Sequence, residues 1–336
     1  MMNHRVYWRP HLYELFIAAN LAIVFLMLIK HTYAVATTLP GIFQTLGLSF
    51  VLQAAGGILA RLIIAALTGK LRAYLSIVRR PAWLIETVRL LVFSTLAVHV
   101  YVWIKTVVPL LHPRLFDQQL WDLDRAMCFG VSPNILALSL FSNHAVLRFV
   151  DATYGDLFLW SLSIAIGYFL SAPSNRLRVA FVTANVLMWT VGAWLYLLIP
   201  SLGPAYRFPD IWFQYSHVLS HTQELQAGLW HNYSAVMKMQ LPGAKDSSVN
   251  LLFGIAAFPS LHVGMQTLVY LWFRRLWTWG EVIFAIFVLV IFLGALITGW
   301  HYLIDLFAGI LLAWGSWVFA AERFRILRFV HLRRIL

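Results

Sequence analysis

Eight long apolar runs set the main constraint on what this chain can fold into. Each is close to the roughly 20 residues that an α-helix needs to cross a bilayer core of about 30 Å. The runs cover residues 12–29, 42–68, 83–110, 152–171, 179–199, 252–273, 281–299 and 301–321. The composition agrees, because 11% of the 336 residues are charged, against roughly 25% in soluble domains. We therefore predict an all-α polytopic membrane protein with about eight transmembrane helices.

The polar segments between these runs divide one domain into consecutive parts. Residues 1–110 hold N-terminal transmembrane helices, and residues 111–151 form an amphipathic segment that we expect to lie along the membrane interface. Residues 152–321 form a transmembrane core with a long extracytoplasmic loop at 200–251. Residues 322–336 form a basic cytoplasmic tail. We see no internal repeat.

Lysine and arginine residues predict the orientation of the chain. With the N-terminus in the cytoplasm, every short cytoplasmic segment is basic, as the positive-inside rule requires. Both termini are then cytoplasmic. The net charge of +12 comes mainly from basic cytoplasmic loops and does not indicate nucleic-acid binding. Lys30-His31-Thr32 follows the first run where a small-residue cleavage site would stand, so we expect a retained first span. The single cysteine, Cys128, excludes an intramolecular disulfide.

Three unusual polar segments fall on the extracytoplasmic face under this orientation. They are IPSLGPAYRFPD at 199–210, FPSLHV at 258–263 and GWHYLID at 299–305. Each lies at an end of an apolar run, so helices that span the same bilayer place all three at one membrane surface. The sequence therefore predicts a single extracytoplasmic site.

His301 and Asp305 are four residues apart, which on a helix places both side chains on one face. A carboxylate inside an apolar run costs about 2.5–3.5 kcal/mol, so it is expected to be paired or functional. Asp305 can accept a hydrogen bond from one imidazole nitrogen and leave the other lone pair free for attack. A lone histidine at a span end is most simply an interfacial residue, but this pairing favours a catalytic one.

His262 and Arg207 complete a pattern that suits phosphoryl transfer. His262 offers a second imidazole that can protonate a leaving oxygen, and Arg207 offers a planar cation suited to phosphate. A nucleophilic histidine, an acid histidine and a cation describe a route through a phosphohistidine, in which positioning and electrostatics supply most of the catalysis. This chemistry requires no metal and no other cofactor.

The motifs resemble those of the type 2 phosphatidic acid phosphatase superfamily. PSLH at 259–262 resembles its Pro-Ser-Gly-His motif, and His301-x-x-x-Asp305 resembles the end of its third motif. GPAYR at 203–207 stands at the position of the first motif. The phrase LDRAMCFGVSPN resembles a segment of the branch that contains inositol phosphorylceramide synthase and its bacterial relatives. The resemblance covers about residues 120–321.

This resemblance implies a six-helix phosphatase-like core with an extracytoplasmic active site. It implies that His301 is the nucleophile, that Asp305 orients it and that His262 is the general acid and base. Candidate phosphate-binding residues are Ser260, Tyr206 and Arg207, with Lys238 or Lys245 as helpers from the loop.

The chain also departs from the superfamily pattern. The usual Lys-x6-Arg-Pro of the first motif is absent, and Gly294 and Ala295 stand where Ser-Arg is usual. Cations for the phosphate are therefore few. The synthase branch resembles this chain in having shortened motifs, which favours a transferase.

The expected function is transfer of a phosphate-containing headgroup between lipids, in an integral membrane protein of a bacterial inner membrane. The substrate is a phospholipid or lipid phosphate, the acceptor is a lipid or water, and the site faces the periplasm or a lumen. With water as acceptor the enzyme is a lipid phosphatase, of phosphatidate or polyprenyl diphosphate. A different alternative is a non-catalytic lipid transporter whose path is lined by Glu86, Arg89 and Asp305.

Several further residues allow more than one interpretation. His217, His221 and Glu224 have spacing that could hold a metal on a helix, but residues of a substrate lid or of a solvated loop are the simpler interpretation. The role of His231 stays open. Gly41, Gly56, Gly57, Gly167 and Gly309 are predicted to permit close helix packing.

Overall fold

A computed structural model describes residues 10–28, 32–238, 253–276 and 278–326, and within these ranges the chain is helical without strands. The helices are α1 (Leu12–Leu28), α2 (Thr32–Leu67), α3 (Leu71–Val78), α4 (Pro81–Leu111), α5 (Asp117–Met127), α6 (Pro133–Leu140), α7 (His144–Leu170), α8 (Asn175–Leu198), α9 (Pro204–Arg207), α10 (Pro209–Phe213), α11 (Ser220–Lys238), α12 (Leu261–Leu276), α13 (Thr278–Ile297) and α14 (Leu303–Arg323). Lys30, Lys245 and most of the predicted tail at 322–336 lie outside the described residues.

Among the described residues, five helices are long and apolar enough to cross a membrane: α4, α7, α8, α13 from Gly280, and α14. The apolar helices Leu12–Met27 and Val51–Leu67 are shorter. Helix α12 has 16 residues, or about 24 Å at the helical rise per residue. The chain is therefore an all-helical integral membrane protein, as predicted, whereas the count of eight spans stays a prediction.

The segment at 111–151 is more ordered and more buried than the sequence indicates. It contains α5 and α6, and α7 begins at His144, eight residues before the apolar run that predicted it at 152. The Asn143 side chain starts this helix by accepting a hydrogen bond from the Ala145 amide. Leu147 and Val150 of the added turns are buried in the core, so packing extends the helix beyond its apolar run.

Close packing of α12 against α14 brings two of the polar segments together. A Cβ added to Gly309 would lie 2.1 Å from the Ser260 carbonyl oxygen, so only glycine permits this approach. Gly264 of α12 lies against the backbone of Gly309 in the same contact. A second crossing joins α2 to α7 through Gly57 and Gly167, where an added Cβ would also collide with backbone. The predictions for Gly57, Gly167 and Gly309 are confirmed, whereas a Cβ on Gly56 would meet only the Ile164 side chain, at 3.2 Å.

Glu86 and Arg89 belong to an ion cluster between α1 and α4. Arg89 binds the carboxylates of both Glu14 and Glu86, and His11 lies 3.1 Å from Glu86. Glu86 and Arg89 lie three residues apart on one face of α4 and form an ion pair there. Both residues are used in joining two helices, and neither lines the cavity described below.

Candidate active site

The three polar segments meet around one cavity of about 470 Å³. It lies between α4, α7, α8 and α11 and the loops that precede α12 and α14. Leu202 comes from the first segment, His262 from the second, and Trp300 and His301 from the third. Most of the other lining side chains are apolar or aromatic. Such a cavity suits a ligand with a large apolar part and a small polar part.

His301 lies in the turn between α13 and α14 and is 4% exposed. Its Nδ1 lies 2.9 Å from the Ala257 carbonyl oxygen, which can only accept, so Nδ1 carries the proton and Nε2 carries the lone pair. Nε2 lies 3.3 Å from Nδ1 of His262. Burial, and secondly the charge of Lys105, lower the pKa of His301. The imidazole is therefore neutral near pH 7, as a nucleophile requires.

Asp305 lies close to His301 without the expected hydrogen bond. Its Oδ2 is 3.6 Å from His301 Nδ1, and it accepts a hydrogen bond of 2.9 Å from the Tyr302 amide. The sequence-based geometry differs because His301 precedes α14 and does not lie on it. The Ala257 carbonyl, which the sequence could not single out, therefore holds the tautomer. The Asp305 carboxylate lies farther from the same nitrogen. An orienting role for Asp305 stays a prediction.

His262 occupies the first turn of α12, where its ring is enclosed by other rings. Tyr154 and Phe158 of α7 lie 5.5 and 4.6 Å from it between ring centroids. Ser260 starts the helix, because its Oγ accepts a hydrogen bond from the Val263 amide. Its own amide donates to the Asp305 carbonyl oxygen, which joins the two histidine-bearing segments directly. The arrangement places the buried imidazole of His301 in contact with the half-buried imidazole of His262 at the wall of a cavity.

Residues 118–319 match the PAP2 superfamily. This chain belongs to the PAP2 superfamily. No curated protein and no solved structure matches it. The matched range holds His262, His301 and Asp305 and covers α5 to α14 almost completely. Membership supports lipid phosphatase or phosphotransferase activity, and it makes an enzyme the better interpretation than a transporter.

The cavity of this PAP2 protein takes its cation from outside the matched range. Lys105 of α4 lines the cavity and is the one lysine or arginine among the lining residues that the structure describes. Its Nζ donates to the Tyr101 hydroxyl at 3.3 Å and lies over the rings of Tyr101 and Tyr196. In the part of the chain that the structure describes, no carboxylate forms a salt bridge with it. Sequence analysis missed this residue, and its only signal was a charge near the end of an apolar run.

The predicted phosphate-binding residues are placed elsewhere. Arg207 is exposed at the end of α9 with its guanidinium 5.5 Å from the Phe208 ring. Tyr206 donates its hydroxyl to the Gln226 carbonyl oxygen and stacks on Trp230. Ser260 is fully buried. None of the three predicted residues lines the cavity, so their contact with phosphate stays a prediction without geometric support.

The histidines of the loop are separate from one another. His221 lies on α11 and lines the cavity, whereas His217 precedes that helix and packs on the His144 ring at 5.3 Å. His231 is exposed on α11. Across the described ranges, no three histidine, cysteine, aspartate or glutamate side chains are grouped as a metal site requires. The spacing of His217, His221 and Glu224 therefore does not produce a metal site there.

Asp151 of α7 is a further residue that sequence analysis missed. It lines the cavity, and its two oxygens accept hydrogen bonds from the His221 and Thr222 amides at 2.9 and 2.8 Å. A carboxylate at this position satisfies amides of the first turn of α11. These hydrogen bonds join α7 to the first turn of α11, which forms part of the cavity wall.

Proposed function

We propose that this protein is a membrane lipid phosphotransferase that works through a phosphohistidine on His301. The contact between the buried His301 imidazole and the half-buried His262 imidazole carries this proposal. His301 Nε2 holds a lone pair and faces His262 Nδ1 at 3.3 Å, and both rings line the cavity. A base that is neutral and fixed in one tautomer is suited to attack on phosphorus.

In the first half of the reaction, the Nε2 lone pair of His301 attacks phosphorus and forms a P–N bond. The bond from phosphorus to the leaving oxygen breaks, and that oxygen takes a proton from the His262 imidazolium, which becomes neutral. In the second half, His262 takes a proton from the acceptor hydroxyl, whose oxygen attacks phosphorus and breaks the P–N bond. The histidines return to their starting protonation states, and the phosphate-containing group has moved to the acceptor.

Lys105 would supply the positive charge that the transferred phosphate requires. We assign to it the role that the sequence suggested for Arg207, because Lys105 lines the cavity and Arg207 does not. Its ammonium lacks a carboxylate partner in the described part of the chain, and a half-buried unpaired cation is suited to an anionic substrate. Lys105 also lowers the pKa of the His301 imidazole, which favours the nucleophilic form.

The character of the cavity favours a lipid acceptor over water. His221, Leu225 and Leu229 lie at intervals of four on the face of α11 that lines the cavity, and Phe253 and Ile255 extend the apolar wall. Apolar surface of this kind can hold a second lipid and exclude water from a phosphohistidine. The resemblance of LDRAMCFGVSPN to the inositol phosphorylceramide synthase branch supports the same choice. Lysine and arginine placement supports an active site on the periplasmic or luminal face.

The test uses purified protein in detergent with a chelator present. Wild type and His301→Ala are incubated with phospholipids, ceramide, diacylglycerol and polyprenyl diphosphate, and products are identified by mass spectrometry. His231→Ala is the control, because His231 is an exposed histidine outside the cavity lining. We expect a new phospholipid from wild type and His231→Ala that is absent with His301→Ala.

Other outcomes decide between the alternatives. Free phosphate without a new phospholipid, equally dependent on His301, would make the protein a phosphatase. Activity that appears only when zinc or magnesium is restored would contradict the metal-independent route. Equal products from wild type and His301→Ala would refute the phosphohistidine.

A further inference from the structure

Helices α5 and α6 reach the backbone beside the candidate nucleophile through three buried polar side chains. Asp124 is fully buried, and its two oxygens accept hydrogen bonds from the Leu303 and Ile304 amides at 2.6 and 3.0 Å. These are the first two amides of α14, which have no partner within the helix. Tyr302, at the N-cap, supplies no short capping side chain. A carboxylate far away in the sequence performs that role.

Asp117 binds two of the polar segments at once. Its carboxylate accepts hydrogen bonds from the Leu202 and Gly203 amides at 3.0 and 2.9 Å. The Tyr302 hydroxyl donates to the same carboxylate at 2.9 Å. Asp117 is 1% exposed, so these bonds are shielded from water and from competing partners.

Asn134 of α6 holds the other side of the same turn. Its Nδ2 donates to the carbonyl oxygens of Leu296 and His301 at 2.9 and 3.1 Å. The first carbonyl belongs to the last turn of α13, and the second belongs to the candidate nucleophile itself. The turn from 296 to 304 is thus fixed from outside at both ends.

We infer that Asp124, Asp117 and Asn134 are positioning residues that hold the turn carrying His301 for phosphoryl transfer. None of the three lines the cavity, so they act through the backbone of residues that do. The expected effect on catalysis rests on the proposed function, in which His301 Nε2 attacks phosphorus. These three residues would keep that atom aligned with a bound phosphate. Burying a carboxylate is costly unless hydrogen-bond donors satisfy it. The side-chain hydrogen bonds of Asp117 and Asp124 come from residues 202–203 and 302–304, beside the candidate site.

The test compares Asp124→Asn with Asp122→Asn, a matched change on the same helix. Asp122 is exposed and bonds the Gln118 amide group. Asparagine at 124 keeps one acceptor oxygen and turns an NH2 group towards the second amide. We expect Asp124→Asn to lower kcat about 10- to 100-fold with KM within about twofold of wild type, because misalignment costs rate while the cavity stays intact. Asp122→Asn should match wild type.

Hydrogen exchange at the turn provides a readout that does not depend on activity. The Leu303 and Ile304 amides should exchange faster in Asp124→Asn and stay protected in Asp122→Asn. If the two variants behave alike in both kcat and exchange, the positioning inference is overturned, whatever His301→Ala does. If wild type and His301→Ala have equal activity, the proposed function fails, while exchange still decides whether Asp124 holds the turn.

A second variant removes a single hydroxyl and covers the case in which Asp124→Asn does not fold. Tyr302→Phe deletes the donor to Asp117 and keeps the ring, which packs edge-to-face on Trp121. We expect kcat to fall about tenfold, as is typical for a buried hydrogen bond to a charged group, with KM unchanged. Wild-type kcat in Tyr302→Phe would contradict the positioning role of Asp117.

Discussion

Replacing Lys105 with methionine removes the one cation among the described residues that line the cavity and keeps a side chain of similar length. A unit charge 4 Å from a phosphate gains about 4 kcal/mol at an effective dielectric constant of 20. Lys105 is half-buried, and its ammonium must give up water to bind, so the net value is closer to that of a charged hydrogen bond, about 2 kcal/mol. We therefore expect kcat/KM to fall about 30-fold.

The dependence of kcat/KM on pH gives the same substitution a second readout. Burial, and secondly the charge of Lys105, lower the pKa of the His301 imidazole, and activity requires the neutral ring. In wild type, the loss of activity at acidic pH should therefore fall below the ordinary histidine range. Lys105→Met raises the pKa of His301, so this loss should move to higher pH. The profile of kcat/KM reports the free enzyme, in which the lysine and histidine face the empty cavity.

Two controls separate charge from shape at this position. Lys105→Arg retains a cation and should keep most of kcat/KM and the wild-type acid limb. Tyr101→Phe removes the hydroxyl that accepts from Lys105 and leaves the ring beneath the ammonium, so its effect should be small. The reasoning is refuted if Lys105→Met keeps wild-type kcat/KM and an unshifted acid limb.

Three other predictions concern the second histidine, the helix crossing and the exposed arginine. His262→Asn should lower kcat by about 10²–10⁴ for alkyl leaving groups, and far less for a p-nitrophenyl phosphodiester, which needs no protonation; equal losses for both would contradict its acid role. Gly309→Ala places a Cβ 2.1 Å from the Ser260 carbonyl oxygen and should cost about 1–3 kcal/mol in thermal unfolding together with activity. Gly315→Ala on the same helix meets nothing within 4 Å and should cost neither. Arg207→Gln should change kcat/KM less than about twofold, since exposed charges contribute little; a loss equal to that of Lys105→Met would return the phosphate role to Arg207.

The meeting of the polar segments could be predicted because the bilayer restricts the possible arrangements. Once the apolar runs and basic loops assign an orientation, the segments around Leu202, His262 and His301 have one membrane surface available to them. The close approach of α12 to α14 also has a local signal in Gly309, whose missing side chain makes room for the Ser260 carbonyl. These features follow from local sequence patterns and from the requirement that every helix crosses the same flat bilayer.

The partners of those residues could not be read in the same way. The spacing of His301 and Asp305 indicated a helical pair, but the helix begins two residues after His301, and the tautomer is held by the Ala257 carbonyl. Every residue has a carbonyl, so its selection depends on the tertiary fold alone. Likewise, Asp124 caps a helix that is 179 residues distant in the chain. Its sequence context indicated an amphipathic interfacial segment and carried no sign of that contact.

The scarcity of cations in the motifs has a physical explanation in the same geometry. A phosphate bound at the membrane surface in open water would need several cations, because each interaction is weakened by solvent. In a largely apolar cavity a half-buried lysine interacts more strongly, and fixed dipoles require no reorganisation when charge develops. Lys105 lies in such a cavity, on a helix that precedes the matched range. A chain without the usual Lys-x6-Arg-Pro can therefore still support the proposed phosphoryl transfer, provided that α5 and α6 keep the His301 turn in place.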